Sequence, residues 1–555
     1  MSGAWPQGLP TTLTYPPTGI GAALVGSARR FPDRAAFVEG DRSLTFAELY
    51  DQSLRVARGL RERGIGPGGT VALLLPNGLS FPVSYFGAML AGAVVALLNP
   101  AQPAVELRDQ LEESSADCVI TVPACLPVLD KAAGPRLRLT VVAPAPPDRL
   151  RPGAVGLDEL LRAEAEPVPS AVAPRGAEEL AQLSFTGGTT GRSKAVRVLH
   201  RNLTASVLQA ACWRSGAVPQ LDQDGGLGLR QLPEARHPRS VAPGQVVCVA
   251  VAPLFHAMGI VSLGASVLQG TTVVFCGRFE PARYLDLVRQ HHANTVIGSP
   301  PMFRALLEDP SAAGRDLGSV LLVSSGAAPI DQVTLERLHG LFPSACVAEG
   351  YGLTEATMAI TLGPVGPVTP PPPPGTVGLP AFDTEVRIRA VDGTDEPLPV
   401  GEVGEVWARG PQITDGYHGH PELTRNQFRD GWLRTGDLGR LDADGYLYLV
   451  GRAKDMLIYK GYNVYPQHLE EVLCQHPAVA QASVVGVPSE GVGEIPVGFV
   501  VRRAGAGADE AELLAFVAER VVPYARLRGL RLVDALPVSA AGKILKQRLR
   551  EQWTD

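Results

Sequence analysis

Short apolar runs punctuate the first part of this chain: VALLL, AGAVVALL, DCVITV, LTVVA, QVVCVAVA, TTVVF, NTVIGS and SVLLVSSG. Each is Val/Ile/Leu-rich without polar alternation, the signature of a strand buried on both faces. Helical patterns lie between them. In LTFAELYDQSLRVARGLRERGI, Phe46, Leu49, Val56, Ala57 and Leu60 recur at helical spacing, and Thr45 with Glu48 forms a capping box. Residues 64–105 carry no charge, but Pro67-Gly68-Gly69, Pro76-Asn77-Gly78, Pro82 and Asn99-Pro100 break the run. A membrane span needs about 20 consecutive apolar residues. The segment instead predicts a strand over 70–75, a helix over about 81–92 and a strand over 94–98. Alternating buried strands and helices predict an α/β fold with largely parallel sheets.

The texture changes after about residue 380. TEVRIRA, GEVGEVWARG and GYLYLVGR alternate in polarity and predict a small antiparallel β-region. From Arg452 onward, helix-like HLEEVLCQH and DEAELLAFVAERV flank strand-like AQASVVGV and GFVVRR, and a last helix follows Lys543. The expected organisation is a large N-terminal domain over 1–452, of stacked mixed sheets with helices plus the small β-region. A small mobile α+β domain over 453–555 follows, with a hinge near Lys454. Residues 166–176 and 365–375 read as Pro-rich linkers, and 214–245 as an exposed insertion.

Composition narrows the function classes. Hydrophobic residues make up 45% and charged residues 19%, and the net charge of −6 gives no reason to expect a nucleic acid or an anionic membrane as partner. The 7 cysteines are scattered without a C-x-x-C pair, which suits a reducing cytosol rather than a disulfide scaffold or zinc site. No basic, then apolar leader opens the chain, so a cytoplasmic protein without an integral membrane segment is expected. Lysine is scarce: only Lys131, Lys194, Lys454, Lys460, Lys543 and Lys546 occur, and every other basic residue is arginine. A lysine that survives such a bias is a candidate for work an arginine fork cannot do.

Lys194 closes the strongest local signal, LSFTGGTTGRSK. A strand leads into Thr186, Gly187, Gly188, Thr189, Thr190 and Gly191. Glycines let backbone N–H groups approach phosphate oxygens, while hydroxyls and the lysine add donors and charge. The spacing does not fit a Walker P-loop, which needs G-x-x-x-x-G-K-[ST].

This loop resembles the phosphate loop of the adenylate-forming superfamily of acyl-CoA synthetases, nonribosomal adenylation domains and luciferases. VAPLFHAMG, SSGAAPI, EGYGLTEAT, GWLRTGDLG, GRAKDMLIYKGYNVYPQHLE and AAGKILKQRLR follow in that family's order, and the similarity is greatest to fatty-acid and aryl acyl-CoA ligases. The resemblance implies an ATP-, Mg2+- and CoA-using ligase that converts a hydrophobic carboxylic acid to acyl-AMP, then to a thioester. It implies that the loop and Lys194 hold the ATP phosphates and that Gly326, Ala327 and Ala328 form a flat wall for adenine. Tyr351, beside Gly352, would stack on the ring, Thr354 would bond the α-phosphate, and Glu355 would hold Mg2+. Asp437 would accept the ribose hydroxyls, with Arg452 reaching ribose or phosphate. Lys543 would steady charge at the reacting carboxylate. Lys454 matches the hinge, and Lys460 and Gly461 the loop that swings toward the pantetheine arm.

For the acid, the resemblance places His256, Ser299, Gly326 and Met358 around the acyl pocket. No Asp follows Phe255, where amino-acid-activating relatives usually carry one, so a simple carboxylic acid is expected. A carrier protein or an amine is the alternative acceptor. The chain departs from the family pattern at Ala195, at His468 and in PYARLRG, which lacks the usual Tyr-Lys-x-Pro. Lys546 reads as an exposed helix residue with no role.

Overall fold

The computed structural model describes every residue except 1–3, 145–149, 151–152, 163–175, 187–192, 313, 367–370, 392–395, 461, 490–491, 504, 539–543 and 555. Gly187, Gly188, Thr189, Thr190, Gly191, Gly461 and Lys543, and most of the 166–176 linker, therefore lie outside the described residues.

The uncharged stretch folds as the polarity pattern predicts, into strand Thr70–Leu74, helix Ser80–Ala91 and strand Val94–Leu97. Helix Phe46–Glu62, closed by the Thr45–Glu48 capping box, lays Phe46, Leu49, Val56 and Leu60 into the core. The two helices approach closely at Gly87, where a Cβ would stand 2.5 Å from Val56 Cγ1. The Ser80–Ala91 helix is buried almost throughout, which explains its lack of charge. Among the described residues no helix is long and apolar enough to cross a membrane.

Two seven-stranded sheets form the large part of the molecule. One runs in the order Ala154–Gly156, Leu139–Val142, Cys118–Thr121, Thr70–Leu74, Val94–Leu97, Leu180–Thr186, Lys194–Leu199, parallel except for its last pair. The other runs Cys346–Glu349, Leu322–Ser325, Thr295–Gly298, Val247–Ala250, Thr272–Phe275, Ala35–Glu39, Arg42–Thr45, again parallel save its last pair. One apolar core joins inward residues of both sheets, such as Val71, Val95, Cys248 and Phe275, through helices His200–Ser215 and Ala257–Gln269. Separate clusters cover the outer faces. His256, Ser299, Gly326 and Tyr351 follow the carboxyl ends of strands in the second sheet, where parallel sheets place ligands.

A five-stranded antiparallel sheet follows, built on Gly404–Arg409 and Trp432–Leu441. A second five-stranded sheet begins at Leu457 and carries helices Pro466–Cys474 and Glu510–Ala518 on its own core.

Two expectations need correction. Residues 214–245 are not an exposed insertion: strands Ala217–Leu221 and Leu227–Gln231 pair as a hairpin whose Ala217, Leu227 and Leu229 are buried. The hairpin rests on helix Gly21–Arg30 so closely that a Cβ on Gly26 would meet the Leu227 carbonyl oxygen at 2.2 Å. The strands are short and interrupted by Gly and Pro, which hid their alternation. Nor is Lys546 a free surface charge. Its ammonium lies 2.8 Å from Glu470 Oε1 and ties the last helix, Lys546–Thr554, to Pro466–Cys474.

Candidate functional site

Strand Cys346–Glu349 ends in a tight bend that carries the EGYGLTEAT motif. Tyr351 and Thr361 pair through backbone hydrogen bonds. Inside the bend, a Cβ on Gly352 would fall 1.7 Å from the Met358 carbonyl oxygen, so only glycine fits. Thr357 has φ of 59°, a left-handed conformation costly for a β-branched residue. Its hydroxyl donates to the Gln412 carbonyl at 2.7 Å and anchors that strain.

On one side of the bend the Tyr351 hydroxyl donates to Asp437 Oδ2 at 2.6 Å. Burial, with the Asp437 charge beside it, pushes the phenol far above the usual tyrosine range, so it stays a neutral donor. Arg452 Nε sits 3.0 Å from Asp437 Oδ1, and the two residues are direct partners across strands Trp432–Leu441 and Leu447–Arg452. A carboxylate offers about four acceptor positions, so Asp437 retains acceptor capacity beside these two partners. Gly326, Ala327 and Ala328 follow strand Leu322–Ser325; Gly326 N–H donates to the Gly298 carbonyl at 3.1 Å, and Ala327 has φ of 69°.

On the other side, Thr354 and Glu355 open a 3-10 turn. The Glu355 backbone carbonyl accepts from Thr414 N–H at 3.0 Å and Thr414 Oγ1 at 2.9 Å. Its carboxylate accepts from the Tyr417 hydroxyl at 2.7 Å. Burial, then the Glu355 charge, raises the Tyr417 phenol above its ordinary range, again keeping it a donor. Lys194 Nζ lies 5.9 Å from the Tyr417 ring centroid, within cation–π range. Thr186 and Lys194, which flank the Gly/Thr loop, are direct partners across the antiparallel pair. The strand after the loop is stitched to Tyr417's segment: Arg197 N–H donates to Gly416, His418 N–H to Ala195, and Arg197 pairs with Asp415 at 3.2 Å. Ala195 is fully buried and its N–H donates to Glu113 at 2.9 Å, so the alanine is accommodated without loss of the strand.

His256 directly precedes helix Ala257–Gln269 without a side-chain capping bond, and its loop is held by Asn77, which donates to the Ala252 carbonyl and accepts from Leu254 N–H, both at 2.9 Å. Met258 Sδ lies 3.4 Å from where a Gly326 Cβ would stand, which brings this helix beside Gly326. Ser299 directly precedes helix Pro300–Glu308 without a side-chain capping bond, and Met358 is half-buried against the main core. Lys454 lies in the turn Ala453–Asp455, and exposed Lys460 has φ of 50° before Gly461.

The sequence reading missed Tyr417, Thr414, Gln412 and Asn77. An aromatic inside the polar turn QITDGYH was the signal for the first, because a turn needs no tyrosine ring.

Tyr351–Asp437–Arg452 and Lys194–Tyr417–Glu355 flank one bend on which Met358 packs against the apolar core, an arrangement that fits the adenylate-forming class. The AMP-binding enzyme family model matches residues 24–418, and the AMP-binding enzyme C-terminal domain model matches 468–543. The chain belongs to the AMP-binding enzyme family. It is 35% identical to 4-coumarate–CoA ligase-like 9 of Oryza sativa subsp. japonica, over 99% of this chain and 94% of that protein. It is 30% identical to a long-chain-fatty-acid–CoA ligase of Bacillus subtilis (strain 168), over 99% and 97%. The ATP-bound structure of MatB from Rhodopseudomonas palustris superposes with a TM-score of 0.82 at 29% identity, over 96% of this chain and 99% of that one.

Proposed function

We propose that this protein is an ATP-dependent acid–CoA ligase acting on a hydrophobic carboxylic acid in two half-reactions. In the first, a carboxylate oxygen attacks the α-phosphorus of ATP, the bond to pyrophosphate breaks, and acyl-AMP forms. In the second, the CoA sulfur attacks the acyl carbonyl, AMP leaves with the C–O bonding pair, and the thioester forms. The reading rests on one observation above all: Tyr351–Asp437–Arg452 and Lys194–Tyr417–Glu355 flank a single bend whose far end, Met358, faces apolar core.

Tyr351, Gly352, Asp437, Arg452 and the Gly326–Ala328 wall would hold the nucleoside, and Thr354, Lys194 and the loop that starts at Thr186 its phosphates. Glu355 fits a hard divalent cation, since oxygen donors suit Mg2+ and a tyrosine hydroxyl orients the carboxylate. Bound there, Mg2+ would neutralise phosphate charge. Lys543 would stabilise charge growing between carboxylate and α-phosphate. His256, Ser299, Gly326 and Met358 would border the acid. Turning about Lys454 would exchange Lys543 for the Lys460–Gly461 loop before thioester formation.

The test is pyrophosphate release across aliphatic, aryl and polycyclic acids, with CoA, a carrier protein or an amine as acceptor. The proposal expects acid-dependent pyrophosphate and CoA-dependent AMP. Acyl transfer to carrier protein or amine but not to CoA would overturn it.

A further inference from the structure

Helix Ala257–Gln269 carries Met258, Ser262, Ser266 and Gln269 along one face. Met258 stands beside Gly326, and Ser266 and Gln269 line a cavity at the opposite end. The sheet faces this stripe. Val249, Val296 and Val323 pack into the outer cluster, so their neighbours Ala250, Ile297 and Ser324 turn toward the helix. Those three are only half-buried although they lie between helix and sheet, which marks a gap. Ile297 also lines the cavity, with Cys248, Thr295 and Leu322 one layer further down the same strands.

The cavity is about 20 Å3, room for an ordered water or for the head of a carboxylate in its place. Its lining includes Arg214, exposed Arg239, Thr271 and Gln269, but no Asp or Glu. Arg214 sits in the last turn of helix His200–Ser215 and has no carboxylate partner among the described residues. Burial lowers its pKa, and Cys248 is its titratable neighbour. The Thr271 hydroxyl is buried without a hydrogen-bond partner, as is that of Ser262 along the stripe. A desolvated guanidinium beside an unmatched hydroxyl is suited to an anionic oxygen group.

We propose that the far end of the acid pocket recognises a second anionic group, so that the preferred substrates are long acids ending in a carboxylate. From Met258 to Gln269 the helix rises about 16 Å, which a chain of roughly a dozen bonds spans. The reacting carboxylate lies at the Gly326 end and the second carboxylate reaches Arg214 and Thr271. This inference rests on the CoA-ligase reading.

The experiment compares kcat/KM for α,ω-diacids and monoacids of matched length, about 10 to 16 carbons, by CoA-dependent AMP release. Wild type should favour the diacid by about tenfold, Arg214→Met should reduce that ratio by about tenfold, and Thr271→Val by a smaller factor. A wild-type ratio at or below unity, or a ratio unmoved in both variants, overturns the inference. If Arg214→Met does not fold, Thr271→Val and the wild-type ratio decide. Inorganic phosphate supplied with monoacids separates the two anion sources. If it alters their turnover while diacids show no advantage, the cavity holds a free anion and the inference falls. Pyrophosphate release with monoacids but no diacid preference overturns this inference alone. No acid-dependent release with any acid overturns the ligase reading beneath it.

Discussion

Tyr417→Phe isolates one oxygen atom. The ring stays, and with it the contact to Lys194 at 5.9 Å and the edge-on contact to Phe428 at 6.2 Å. The hydroxyl 2.7 Å from Glu355 Oε1 is lost. A hydrogen bond to a charged acceptor is worth about 1.5–3 kcal/mol, or roughly 10- to 150-fold in an equilibrium. If the bond orients Glu355 toward a cation, the loss should fall on Mg2+ dependence. The apparent Mg2+ activation constant for pyrophosphate release should rise by about tenfold or more, with the KM for the acid little changed. Mg2+-dependent ATP binding by calorimetry should weaken in parallel, while the thermal midpoint moves little because the packing is intact. The reasoning fails if the Mg2+ titration superposes on wild type, or if activity falls only in proportion to folded protein.

Lys543→Ala should abolish adenylation while sparing thioester formation from a supplied acyl-adenylate; equal loss of both half-reactions would remove the lysine from the first step. Lys546→Met breaks a half-buried pair and leaves Glu470 accepting from Val484 N–H alone among its stronger bonds, which should cost about 1–2 kcal/mol and lower the thermal midpoint. Glu349 has its pKa pushed up to about 8, from an ordinary 4.5, by burial and the Glu471 charge against an Ile330 N–H bond. The native state therefore holds a proton that the unfolded chain releases, and the stability it contributes is full below pH 4.5 and lost as pH rises through about 8. The ceiling is ~1.4 kcal/mol per pH unit, and partial solvent access brings it to about 1. Urea midpoints of Glu349→Gln should therefore fall less steeply than wild type between those limits, and parallel pH profiles would refute the assignment.

Long periodic segments were legible from sequence because their pattern is local. The Thr45 capping box, the Val/Ile/Leu-rich strands of both large sheets and the uncharged helix at Ser80–Ala91 follow from polarity alone, whereas Ala35–Glu39, Arg42–Thr45, Ala154–Gly156, Lys194–Leu199 and Cys346–Glu349 escaped that reading as strands. Strand order did not, since Ala35–Glu39 pairs with Thr272–Phe275, which lies far along the chain. In the site, the family resemblance pointed to Tyr351, Glu355 and Asp437, but not to the hydroxyl that meets Glu355 from Tyr417 or the carbonyl that braces Thr357. Those partners lie in a loop without periodicity, and only the folded chain brings them there. The 214–245 hairpin escaped because its apolar residues are sparse and make sense only against Gly26.

The bend from Tyr351 to Thr361 has a consequence for changing what this enzyme accepts. Gly352 touches the Met358 carbonyl, so the two ends cannot shift independently. Substitutions at Met358 that select a new acid should therefore alter the KM for ATP as well, and directed evolution at this position will need compensating changes on the nucleotide side.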